Sequence, residues 1–170
     1  LVGINFGPDG ALYGADWGEN KWVPHQKGRI LRLDVAEQDR HPLRADTQKI
    51  LKEGMDHYPE GHLLDLLGYP DQRVRLAAQF EIVKRGDFTI LRNTVVADSR
   101  HIARIHAIWA CEQLVRNNPD ESLQSLMPAI KHPDPEIRAQ LVKALGSTRS
   151  AFALTQVVAL LEDPEPRVRS

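Results

Sequence analysis

The sequence predicts a mainly α fold: an α-solenoid of helix pairs, preceded by a partial β-blade of two or three short strands. Three observations carry this. A cluster of apolar residues, a Pro-acidic turn and a Val-Arg or Ile-Arg pair recur in that order down the chain. The apolar residues before each turn fall at helical spacing. Residues 1–36 alternate like strands instead and are broken by a Gly-rich turn.

Within residues 1–36, Gly7-Pro8-Asp9-Gly10 reads as a tight turn, because Pro presets φ and Gly accepts positive φ. Leu12, Tyr13 and Trp17 favour a strand after it, and residues 18–28 form a loop. Ile30, Arg32 and Asp34 then alternate with Leu31, Leu33 and Val35, the mark of a half-buried strand. So few strands do not make a stable sheet alone, so neighbouring strands are expected from outside this sequence. Residues 37–58 read as a linker and lead-in helix.

The repeats are expected over 59–170, with units at about 59–87, 88–118, 119–149 and a shortened 150–170. Leu63, Leu64 and Leu67 precede Pro70-Asp71 and Val74-Arg75. The same order returns with Leu126, Met127 and Ile130 before Pro133-Asp134 and Ile137-Arg138. It returns again with Val157, Val158 and Leu161 before Pro164-Glu165 and Val168-Arg169. The intervening unit is degenerate, with Ser99 in place of proline and Ala103-Arg104 in place of Val-Arg. Leu123, Leu126, Met127 and Ile130 form one stripe of an amphipathic helix, and Leu154, Val157, Val158 and Leu161 repeat it. The second helix of the first unit is apolar on two sides: Val74, Ala77, Ala78 and Ile82 on one, Leu76, Phe80 and Val83 on the other. A helix held between neighbouring units needs that. Proline ends each first helix, and the acidic residue after it suits the N-terminus of the second.

Composition narrows the function classes. The formal net charge is −1 over 170 residues, which supplies no electrostatic pull toward nucleic acid or an anionic membrane. No apolar run approaches the roughly 18–20 residues that span a bilayer. The chain starts with Leu rather than Met, so the lack of an export signal there carries no weight. Cys111 is the one cysteine, which rules out an internal disulfide, and its apolar surroundings suit a buried small residue better than a nucleophile. Neither a phosphate-binding Gly loop, a Ser nucleophile elbow nor a dinucleotide motif is present.

The stretches LLDLLGYPDQRVRLAAQFEIVKRG and LMPAIKHPDPEIRAQLVKALG resemble HEAT repeats. FGPDGALYGADWG with HQKGRILRLD resembles the last blade of a six-bladed propeller of the glucose/sorbosone dehydrogenase type. The order of the two, joined through ILKEGM, resembles large exported proteins of planctomycetes and verrucomicrobia described as membrane-bound dehydrogenases or haem-binding proteins. This resemblance implies a periplasmic or extracellular internal fragment, non-catalytic by itself, that serves as a propeller-to-HEAT junction and scaffold. Its partners would be other domains of the same parent chain. The parent would carry a quinone with calcium, and haem c in a following cytochrome domain. No Cys-x-x-Cys-His motif occurs here, so no haem site carries over. The alternative is a HEAT scaffold whose concave face binds another protein, with no redox role.

Few residues qualify as site candidates. Around the blade's long loop, Asp16, His25 and Arg29, near Trp17 and Lys27, either line a cofactor face in the parent or merely shape the blade. The pairs His57/His62 and His101/His106 are each five apart, unlike the i, i+4 pair of a zinc helix, and His132 lies at a turn. Ordinary surface or packing roles are expected, and no metal site. Arg75, Arg104, Arg138 and Arg169 recur once per unit beside Pro70, Asp71, Pro133, Asp134 and Pro164. They read either as a basic ladder on the concave surface or as structural cations paired with acids such as Asp71 and Asp134, four residues earlier.

Overall fold

The computed structural model describes residues 3–18, 26–97, 99–115, 123–124 and 126–170. The chain divides into two compact units, Leu1–Gly54 and Met55–Ser170. No helix among the described residues is long and apolar enough to cross a membrane.

In the first unit, strands β1 (Gly3–Phe6), β2 (Leu12–Asp16) and β3 (Arg29–Leu33) form an antiparallel sheet in that order. The Gly-Pro-Asp-Gly turn closes β1 onto β2: Gly7 N donates to Ala11 O at 2.9 Å, and Gly10 takes a φ of 73°. The Asp9 side chain accepts from Ala11 N at 3.1 Å. Register puts Ile4, Gly14 and Leu31 in one row and Phe6, Leu12 and Leu33 in another, all on a single face. Ile4, Phe6, Leu31 and Leu33 are exposed there.

Helix α1 (Leu43–Glu53) belongs to this first unit, where the sequence suggested a lead-in to the repeats. Electrostatics explains the difference. Arg44, on its first turn, grips Asp34 just beyond β3 with both Nη atoms, at 2.5 and 3.0 Å, and donates through Nε to Asp9 O. Arg32 and Arg40 also reach Asp34, at 2.6 and 3.1 Å. The Arg44 hydrogen bond leads in holding the Asp34 carboxyl far below the usual carboxylate range.

The second unit is helical: α2 (Glu60–Leu66), α3 (Gln72–Arg85), α4 (Phe88–Ala97), α5 (His101–Val115), α6 (Pro135–Ser147), α7 (Ala151–Ala159) and α8 (Pro166–Arg169). Helix α5 lies at its centre against α3, α4 and α6. Its Ala103, Ile105, Ala107, Ile108, Ala110, Cys111 and Val115 are all buried, as a helix enclosed on most sides requires. Leu63, Leu67, Leu91, Leu123, Leu126, Ile137, Leu141 and Leu145 are among the largest side chains buried with it.

The expected helix pairs are present, with two departures. The stripe around Leu123–Ile130 does not continue as α-helix; Met127–Lys131 tightens into a 3-10 turn with Pro128 at its start. Proline has no N–H to donate and clashes with the carbonyl four residues back, which disfavours the α-helical ladder there. The second apolar side of α3 is also not enclosed, since Phe80 is 56% exposed and Leu76 and Val83 are half-buried.

Candidate functional site

The recurrent arginines define the most organised polar feature of the helical unit. Arg75 Nη1 donates to Tyr69 O at 2.8 Å and Pro70 O at 2.7 Å. Arg138 Nη1 donates to His132 O and Pro133 O at 2.7 and 3.1 Å, and Arg169 Nη1 to Asp163 O and Pro164 O at 2.6 and 2.9 Å. Each arginine thus satisfies carbonyls at the end of the preceding helix, which lack helical donors. The rest of the guanidinium reaches forward. Arg75 Nε donates to His106 Nε2 at 3.0 Å, and Arg138 forms a two-point pair with Asp163, 2.8 Å on each side. Arg104 hydrogen-bonds the His132 ring at Nε2. The acceptors His132 and Asp163 both stand immediately before a turn proline.

This corrects the expected partners. Asp71 and Asp134 have extended backbone as N-caps of α3 and α6, so their side chains turn back onto Arg73 N and Glu136 N, each at 2.8 Å. An i, i+4 pair needs both residues inside the helix. Asp71 pairs with Arg73 at 2.8 Å instead, and Asp134 with His101 at 3.0 Å. The hydrogen bond from Arg138 holds the Asp163 carboxyl below its ordinary range. Both members of that pair are largely buried, with side chains 12% and 5% exposed, so this rung does not form an open basic surface.

A second polar seam crosses the second helices. His106 is 1% exposed. Arg75 always donates, so His106 Nε2 must be the unprotonated nitrogen, and Nδ1–H donates to Gln79 Oε1 at 2.8 Å. Burial first, and Arg75 second, push the ring's pKa down to about 4. The imidazole lies edge-on to Trp109, with ring centres 4.9 Å apart. Trp109 Nε1–H donates to Gln140 at 2.8 Å, and Gln140 donates to Glu136 at 2.7 Å. Glu136 accepts from Arg167 at 2.9 Å, and that bond leads in keeping its carboxyl low. The seam runs from α3 through α5 and α6 to α8. Both His106 nitrogens are committed, which suits a structural group and not a proton carrier.

The other candidates resolve one by one. Asp16 and Arg29 face each other across β2 and β3 and pair at 2.7 Å, while Gly18 N donates to Asp16 at 3.3 Å. Arg29 leads in lowering the Asp16 carboxyl. The two side chains thus engage each other across the neighbouring strands. His25 lies outside the described residues. His57 and His62 flank Tyr58, at 4.0 and 4.5 Å between ring centres. No group of three or more His, Cys, Asp or Glu among the described residues could hold a metal ion. Cys111 is buried, which pushes its thiol pKa far up and away from nucleophilic use.

Several ordering residues had no motif to mark them. Arg85 donates to Met55 O, Asp56 O and Tyr58 O at 3.2, 3.0 and 2.8 Å, fixing the segment ahead of α2. Arg100 donates to Leu64 O and Asp65 O, joining α2, the opening helix of the first repeat, to the second repeat. Gln79 and Gln140 gave no signal beyond being polar positions on helices that carry several others.

Paired helices with a Pro-acidic turn and an arginine bridging successive turns are what a repeat array of this type requires. Residues 88–170 match the HEAT repeats. The matched segment takes in α4 to α8 and the Arg138–Asp163 rung. The chain is also 38% identical over 73 residues to "Uncharacterized phycocyanin operon protein Y" of Pseudanabaena tenuis (strain PCC 7409). That match covers 40% of this chain and 16% of the length of that protein. No solved structure matches the chain significantly.

Proposed function

We propose that the HEAT unit is a non-catalytic scaffold that binds another protein segment along its second-helix side. The supporting observation is the polar seam through Arg75, His106, Trp109, Gln140 and Arg167, which holds successive second helices in fixed register. A binding surface built across several repeats works only if those repeats keep their spacing. Hydrogen exchange on the intact chain, with and without each protein encoded beside it, tests this. Added protection along α3, α5 and α6 is expected for a true partner, and no change with any of them removes the reading.

A finer reading concerns the parent. The open apolar face of the β1–β3 sheet, followed in the chain by HEAT repeats, favours a propeller-to-HEAT junction in an exported sugar-dehydrogenase-like protein. That parent would be periplasmic or extracellular. It would bind quinone and calcium in other blades and haem c in a downstream domain, with the present residues holding those parts in relation. The complete coding sequence decides it. Without five further blades upstream and a Cys-x-x-Cys-His downstream, the dehydrogenase reading fails and the scaffold reading stands.

A further inference from the structure

Arg75, Arg104 and Arg138 each reach forward to an acceptor, and the three acceptors are not equal. His106 gives Arg75 its one lone pair and donates its N–H to Gln79, so each ring nitrogen meets a complementary group. Asp163 accepts from Arg138 on both carboxylate oxygens, at 2.8 Å each, and from Glu165 N at 2.9 Å. A carboxylate has lone pairs enough for all three. His132 stands at the corresponding place, one residue before its turn proline, and meets the same two kinds of donor. Arg104 Nη1 faces its Nε2, and Asp134 N–H faces its Nδ1 at 3.1 Å. A neutral imidazole has a single accepting nitrogen, so it serves one of these donors and turns an N–H on the other. A protonated imidazole accepts from neither.

The charges around the half-buried ring act in the same direction. Arg104 approaches from α5, and Arg138 of α6 donates to His132 O at 2.7 Å. Asp134, the α6 cap, favours a charged ring, but its carboxylate is already shared between Glu136 N and His101 of α5, at 2.8 and 3.0 Å. Burial first and Arg104 second outweigh it and lower the ring's pKa. We propose that His132 makes the contact between α5 and the turn ahead of α6 a proton-operated joint, closed while the ring is neutral and released when it is charged. The Arg138–Asp163 rung one repeat later has no such release, because its acceptor is held ionised by the arginine it binds. The released ring takes up its proton near the ordinary 6.5, whereas the closed ring resists it. Closure is therefore undiminished above that pH, and each unit below it favours release by up to about tenfold until the closed ring titrates too.

Native-state hydrogen exchange of the whole chain tests this, with protection expressed relative to His132→Asp at the same pH. The chemical exchange rate and the other titrating groups, His101 and His106 included, are common to both proteins and cancel. Between about pH 7.5 and about pH 5 the ratio should fall by more than twofold, to a ceiling of about thirtyfold, in α5 and residues 127–134. In α3 and in residues 160–163 it should stay level. His132→Gln keeps an acceptor for Arg104 but cannot titrate, so its ratio should also stay level, and it replaces His132→Asp as the reference if that variant loses its helical circular dichroism. A wild-type ratio that is level throughout overturns the proposal, as does a fall of equal size in α3 or residues 160–163. A fall in His132→Gln like that of wild type, or a His132 ring that titrates at 6.5 or above by nuclear magnetic resonance, overturns it equally.

Discussion

Acidification should weaken the helical unit through His106 specifically. In the unfolded chain this histidine titrates near its ordinary 6.5, whereas in the folded protein it holds out to about 4. Above pH 7 both states are neutral there and the residue contributes no pH dependence. Below about 6.5 the unfolded state takes up a proton that the native state refuses, so stability falls with pH until the native ring titrates too. From about pH 8 to about pH 5 the two pKa values give a loss of about 2 kcal/mol, approaching 3 kcal/mol near pH 4. The assay is urea denaturation at several pH values, for wild type and for His106→Gln, which removes the titration while keeping a polar side chain beside Arg75 and Gln79. Low-lying carboxylates such as Asp163 and Glu136 belong to both proteins and cancel in the comparison. The reasoning fails if nuclear magnetic resonance shows His106 titrating at 6.5 or above, or if the variant loses as much stability as wild type across that window.

Leu141→Ala removes a fully buried side chain from α6 and should cost about 2–5 kcal/mol in urea denaturation. Asp134→Ala deletes the α6 cap and the His101 pair, and a loss of about 1 kcal/mol is expected from the cap alone. Arg138→Gln releases the turn carbonyls and Asp163 together. Native-state hydrogen exchange should then show faster exchange in α8 and residues 160–163 with α3 unchanged. Alkylation of Cys111 should be very slow in the folded chain and complete in denaturant; rapid native labelling would contradict its burial.

The helix pairs were legible because Leu63 returns as Leu126 and Val74 as Ile137 at one fixed offset, and all four are buried. The strands were legible from the turn at Gly7–Gly10 and the alternation through Leu33. Position along the chain does not reveal what a side chain faces across the fold. Arg138 finds Asp163, 25 residues ahead, although an acid sits four residues behind it. That nearer acid is a cap, and its extended backbone aims it elsewhere. Helix α1 looks like the first of the helical run, yet two points of attachment to Asp34 place it with the strands. Of the seam, the sequence marked Arg75 as recurrent, but His106 resembled any packing histidine until Gln79 and Arg75 were seen on its two nitrogens.

The place of the arginine acceptors bears on how such an array changes length. His132 and Asp163 differ in chemistry, yet each precedes its turn proline and each receives an arginine from the repeat before. If one whole helix pair were excised between them, the upstream arginine would still meet an acceptor at the same place in the next turn. Insertion of a pair would be tolerated for the same reason. Partial excisions would not, because they shift the acceptor out of phase with the guanidinium. The fastening therefore makes the complete helix pair, and nothing smaller, the natural unit of gain and loss.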